Sequence, residues 1–179
     1  MTIIIKSILT FVVLLLVGAC SSTQSLQEYY VDNSENPNFI SFDVPASILR
    51  LEKANLTASQ KEAIGSLNKL NILVFKKSKE NEADFVAEKT QVKAILKNKK
   101  FTELMKMNTS FGKAKIIYLG DEDAIDEVVI YGDNEDKGFA VVRVLGNNMN
   151  PAHLVDLIKV MEKSNYNGED FSKLKGFLE

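Results

Sequence analysis

Glu127-Val-Val-Ile-Tyr131 and Phe139-Ala-Val-Val-Arg-Val-Leu145 are two strand-length runs separated by the turn-forming stretch Gly132-Asp-Asn-Glu-Asp-Lys-Gly138. Their apolar residues fall on both pleat faces instead of alternating, which predicts a sheet covered on both sides at this point. Working outward, Phe101 to Met107 and Lys113 to Leu119 are two more strand-length segments. They are set off by Thr109-Ser-Phe-Gly112 and Gly120-Asp-Glu-Asp123. Connections this short, rich in Gly, Asn and Asp, join antiparallel neighbours, because a parallel crossover needs a dozen residues or more. A four-strand meander follows. Asn150-Pro151 then caps and opens a helix whose Leu154, Leu157, Ile158 and Met161 form a stripe meant for the sheet.

Upstream of the meander the periodicity switches between strand and helix. Phe39-Ile-Ser-Phe42 is a short strand, and Pro45 opens a helical turn through Ile48, Leu49 and Leu51. Thr57-Ala-Ser-Gln60 reads as a capping box for a helix running through Ile64 and Leu67. Leu70-Asn-Ile-Leu-Val-Phe75 has strand length and strand composition. Asn81 stands where it can cap a helix with Phe85, Val92, Ile95 and Leu96 on one face and Glu and Lys on the other. The expected fold class is α+β: a mostly antiparallel sheet of five to six strands with a C-terminal four-strand meander, and helices packed on the sheet. The second face falls to the region 45–68, to the C-terminal segment with Phe171, Leu174, Phe177 and Leu178, or to a partner. Cover from within the chain is the expected case, since large bare apolar patches are rare.

The N-terminus carries a different signal. Lys6 precedes an apolar run, Ile8 to Val17, that is shorter than a bilayer span and ends in Leu16-Val-Gly-Ala-Cys20. Gly-Ala before the chain's single cysteine resembles the lipobox of bacterial lipoproteins, in which the thiol is acylated and the preceding segment removed. The expected organisation is therefore a cleaved signal peptide over 1–19, a lipidated tether over 20–38, polar and closed by Asn-Ser-Glu-Asn-Pro37, and one α+β domain over 39–179. Cleavage leaves 160 residues and removes Lys6 alone among charges, so 21 Lys+Arg face 24 Asp+Glu, a net charge of -3. A weakly acidic chain has no electrostatic footprint for nucleic acid or anionic lipid, so the membrane is expected as a partner through the acyl chains on Cys20. With its one thiol acylated the mature chain forms no internal disulfide. A chain this long can bury roughly 70% of its unfolded surface, enough for one unstapled domain.

Phe101-Thr-Glu-Leu-Met-Lys-Met107, Asp126-Glu-Val-Val-Ile-Tyr131 before its acidic turn, Phe139-Ala-Val-Val-Arg-Val-Leu-Gly146 and Asn150-Pro-Ala-His-Leu154 are together similar to the lipoproteins carrying the domain of unknown function numbered 4252. The resemblance covers residues 40 to 160 in element order and is sharpest over 101 to 158. It implies a periplasm-facing lipoprotein of a Bacteroidetes-type cell envelope, with no assigned activity and no catalytic residues to carry over.

Candidate chemical sites are few. His153 is the sole histidine, so a histidine cluster for metal cannot be built, and its place in the first turn of the last helix suits packing or surface more than catalysis. Asp133-Asn-Glu-Asp-Lys-Gly138 resembles half an EF-hand loop, but Lys137 and Val144 stand where oxygen ligands belong. Asp121, Glu122, Asp123, Asp126 and Glu127 read as turn chemistry rather than as a metal site. The lysine runs at 76–79 and 97–100 read as solvated helix ends, which set against the acidic meander suggest an electrically polarised molecule. No Walker loop, Rossmann fingerprint or nucleophile elbow occurs, and no cofactor is expected.

Three function classes follow. The first is a non-enzymatic envelope lipoprotein, lipid-anchored at Cys20 on the periplasmic leaflet of the outer membrane, or displayed at the surface, acting as an interaction or accessory module for a protein partner. The second is a binder of a small apolar ligand between sheet and helices. The third is a carboxylate-based hydrolase, which needs two converging acids that the spacing does not supply.

Overall fold

The computed structural model describes residues 24–49, 56–108, 112–121 and 124–156. Six strands form one antiparallel sheet: β1 (Phe39–Pro45), β2 (Leu67–Lys76), β3 (Thr102–Asn108), β4 (Lys113–Asp121), β5 (Ala124–Asn134) and β6 (Gly138–Met149). Their order across the sheet is β1-β2-β6-β5-β4-β3. The meander β3 to β6 is continuous in space as well as in sequence, and β2 joins the hairpin β1–β2 to its last strand. The hairpin turns are tighter than the sequence suggested. At β5–β6 the ladder closes onto Asn134↔Gly138, and the Asn134 side chain accepts from the amides of Asp136 and Lys137. Gly138 sits at φ +124, and a Cβ there would run into the Phe75 carbonyl of the neighbouring strand. Only glycine fits both demands.

Helices lie on both faces. α1 (Leu26–Asn33) and α3 (Glu82–Ile95) cover one. Beneath them Phe39, Phe75 and Phe139 are in register across β1, β2 and β6, with Phe75 and Phe139 stacked at 5.5 Å and Phe39 edge-on to Phe75 at 5.1 Å. Tyr29 of α1 and Phe85, Val92, Ile95 and Leu96 of α3 complete this core. On the other face Leu70, Ile72, Val74, Ile116, Val128 and Val144 pack under the 3-10 turn Ala46–Leu49, α2 (Ala58–Gly65) and α4 (151–156) through Ala46, Ala63 and Leu154. The double cover expected for β5 and β6 is therefore present and is supplied from within the chain.

Several expectations are corrected. Residues 26–33, expected to belong to a tether, form α1, whose Leu26 and Tyr29 are buried. Ser25 and Glu28 close a reciprocal capping box there, and two apolar anchors one turn apart suffice to seat a short polar helix. The Thr57–Gln60 capping box is formed as read. Its helix ends at Gly65, however, and Leu67 begins β2, where it pairs with Gly146. Asn81 takes the N-cap position of α3, but its side chain makes no cap bond. It accepts from the Ser78 amide and donates to the Lys76 carbonyl, fixing the β2–α3 turn instead. At α4, Asn150 does cap, accepting from the amides of Ala152 and His153. Leu51, Leu157, Ile158, Met161, the C-terminal segment with Phe171 and the segment 1–23 with Cys20 lie outside the described residues.

Candidate functional site

On the α1/α3 face the strands carry the same two cross-strand rows from one edge of the sheet to the other, and their chemistry changes on the way. One row reads Phe39, Phe75, Phe139, Asp133, Lys113, Asn108, and the next reads Ser41, Leu73, Val141, Tyr131, Lys115, Lys106. The aromatic half lies beneath α3. The half on β5, β4 and β3 extends past the helix, and the C-terminal turn of α3 becomes its wall. The result is a groove of about 410 Å³ walled by Lys93, Lys97, Lys106, Lys113 and Lys115, with Leu96 and Tyr131 as its apolar part. Its volume is of the size that holds a small ligand or a headgroup.

The groove's one carboxylate is already engaged. Asp133 receives Lys93 Nζ at 2.6 Å and Lys89 Nζ at 2.8 Å, and Tyr131 donates its hydroxyl at 3.3 Å. Burial alone would raise the Asp133 pKa, but the hydrogen bonds from Lys89 and Lys93 outweigh it and hold the carboxyl below its usual range. Lys89 is buried beneath this cluster, bonded also to Glu135 at 2.5 Å and lying 5.2 Å from the Phe85 ring. Burial opposes its charge, yet the bonds to Asp133 and Glu135 prevail and keep its pKa raised. Burial, with Asp133 adding to it, pushes the Tyr131 phenol far up, so Tyr131 stays a neutral donor. Glu103 on the rim holds Lys106 at 3.1 Å and Lys115 at 3.3 Å. The groove is thus preset for an anion with an apolar or flat body: ammonium groups in excess, a neutral hydroxyl and no open acid among its lining residues.

A second polar row crosses the same face further along. Asp43, Asn71 and Arg143 are in register across β1, β2 and β6. Arg143 grips Glu127 of β5 through two bonds, Nε at 2.7 Å and Nη2 at 2.9 Å. Tyr30 of α1 donates to Asp43 at 2.7 Å, Asn71 donates to the same carboxylate, and Lys69 pairs with it at 2.6 Å. Asn71, Glu127 and Arg143 are all buried. The charged groups of this row are satisfied by one another and by Tyr30 and Lys69, which fits a structural role: the row fixes register and seats α1.

The candidates read from the sequence are scattered. His153 lies in the first turn of α4 with Nδ1 3.6 Å from Glu62 Oε2, beyond hydrogen-bonding distance, on the face opposite the groove. Asp121, Asp126 and Asp136 are exposed and apart from Asp133, and Glu127 is bound by Arg143. Among the described residues no three His, Cys, Asp or Glu side chains converge as a metal site would require. Lys97, expected as part of a solvated helix end, is in the groove wall, and Lys77 donates to the Glu135 carbonyl with its ammonium 4.9 Å from the Phe85 ring. Sequence reading missed Lys93, Lys106, Lys113 and Lys115 as a group. The available signal was their parity, since Lys113 and Lys115 share a pleat face, and register alone brings Lys106 beside them.

A single antiparallel sheet packed with helices on both faces, and bearing a cationic groove at one end, defines an α+β domain. Comparison with known families supports the family reading: residues 29–157, most of the chain, match the domain of unknown function DUF4252. The chain belongs to that family. No curated protein and no solved structure matches it. The match begins inside α1, consistent with that helix being part of the domain and not of a linker.

Proposed function

We infer that this chain is a lipid-anchored envelope lipoprotein, acylated at Cys20 and facing the periplasm, whose domain works as a non-enzymatic interaction or accessory module. Its contact point is the groove between α3 and the β3–β4 hairpin. The observation that carries the binding role is the lining itself: five lysines, from α3, the turn after it, β3 and β4, surround one carboxylate that Lys93 and the buried Lys89 already neutralise, with Glu103 on the rim holding Lys106 and Lys115. Such a surface recognises anions, and it holds neither a free base nor a paired acid for proton transfer. The anchor rests on the Gly-Ala-Cys20 step after the apolar run of the N-terminus.

The apolar part of the groove favours a second reading, a small ligand with an apolar body seated between sheet and helix, provided that it carries negative charge. Metabolic labelling with a fatty acid tests the anchor: Cys20→Ala abolishes the label, and label that persists refutes the lipoprotein reading. Co-purification from envelope extracts tests the contact point. The Lys113→Glu, Lys115→Glu double variant loses the material that the parent retains, and an unchanged set of co-purifying molecules rejects the groove as the contact.

A further inference from the structure

We propose that the groove and the outward face of α3 seat on the anionic phospholipid headgroups of the very bilayer that anchors the chain, so that the domain lies against the membrane instead of hanging from a free tether; this rests on acylation of Cys20. Two observations combine. The first is where the described chain begins. Gln24 is fixed to α3 by a hydrogen bond from Gln91 at 2.7 Å and to α1 by one to Asp32 at 2.6 Å. Cys20 is four residues upstream, so its Cα lies at most about 14 Å from that of Gln24, and its acyl chains enter the bilayer close to α1 and α3.

The second is the charge of that surface. The outward face of α3 carries exposed Ala83, Val86, Ala87, Thr90 and Ala94; its exposed acids, Glu82 and Asp84, are confined to the first turn, and Lys93 and Lys97 stand at and just past its C-terminal end. Val86 is 58% exposed, one of the two large apolar side chains that stand most open to solvent among the described residues. Lys97 and Lys93 lead directly into the groove, where Lys106, Lys113 and Lys115 follow. A net-acidic chain thus gathers these cations beyond the C-terminal end of the same helix whose Gln91 holds Gln24. Lysines held near an anionic surface attract it within a Debye length, and a short tether raises the local headgroup concentration without any contact of its own.

The full chain, purified from membranes as made, provides the test. With Cys20 acylated, Ala94→Cys or Ala58→Cys supplies the sole free thiol for an environment-sensitive fluorophore, on the α3 face and on the α2 face respectively. In bilayers of phosphatidylcholine carrying headgroup nitroxides, added phosphatidylglycerol should deepen the quenching at position 94 and leave position 58 unchanged. High salt, or Lys97→Glu with Lys113→Glu, should remove the difference. Equal quenching at both positions, or indifference to phosphatidylglycerol, overturns the proposal. Saturable binding of inorganic phosphate that releases the bilayer-dependent quenching also overturns it, and assigns the groove to a soluble anion. The mass of the Cys20 peptide separates the two failures: an unmodified cysteine ends the lipoprotein reading itself, and an acylated one without headgroup preference ends only this inference.

Discussion

Arg143 and Glu127 show how a single pair can hold a register. Both are buried, and each satisfies the other through two bonds. Removing one partner leaves an unpaired charge inside the protein. Arg143→Met should cost about 3 to 5 kcal/mol, while the double change Arg143→Met with Glu127→Leu should recover much of that loss in urea denaturation. Asp133 and Lys89 give a pH signature. The depressed Asp133 pKa contributes stability that is present above the ordinary aspartate range, about 3.9, and is lost as pH falls through its lower folded value. The raised Lys89 pKa contributes below about 10.4 and is lost as pH rises through its higher folded value. Denaturation midpoints at about pH 3 and pH 7 should therefore converge in Asp133→Asn relative to the parent. These partnerships could not be read from the chain. Glu127 and Arg143 are 16 residues apart, and Lys89 and Asp133 are 44 apart, so a charged residue inside an apolar strand was visible while its partner depended on register.

Elements were legible where local chemistry decides them. The Thr57–Gln60 box, the run Leu70 to Phe75 and the four strands of the meander stand where pattern placed them, because capping and pleat alternation act within a few residues. Thr57→Ala should cost about 1 kcal/mol by chemical denaturation. α1 escaped because its apolar content is slight, although Ser25-Leu-Gln-Glu28 carries a capping box as clear as the one that was read. Tyr29→Ala should cost about 3 to 5 kcal/mol, as loss of a fully buried ring does, where a tether residue would cost nothing. Leu154→Ala tests α4 in the same assay: its buried side chain should be worth about 2 to 5 kcal/mol.

At the scale of the molecule, the hydrophobic pattern was enough for the fold class, while net charge hid the groove. A net charge of -2 says nothing of where the charges lie, and the five groove lysines come from α3, β3 and β4 and the turn after α3. If the acidic turns are plain connections, millimolar calcium should leave the melting temperature unchanged, since stabilisation grows as RT ln(1 + [L]/Kd). A rise of several degrees, lost on changing Asp133 and Asp136 to Asn, would restore the metal reading. The strand order has a consequence for biogenesis. β2 presents six consecutive buried residues, Asn71 among them, and its partner across the centre of the sheet is β6, more than sixty residues later in the chain. A chain emerging N-terminus first therefore exposes Leu70 to Phe75 for the whole interval before Phe139 to Val144 arrive. The meander, built of local contacts, can form quickly, and capture of the waiting hairpin by β6 becomes the slow event. Substitutions that weaken the β2–β6 seam should then slow refolding, while those at the β3 edge should chiefly hasten unfolding. During that wait the most aggregation-prone stretch of the protein is also the one on which its two halves depend, a period in which a holding chaperone has its greatest effect.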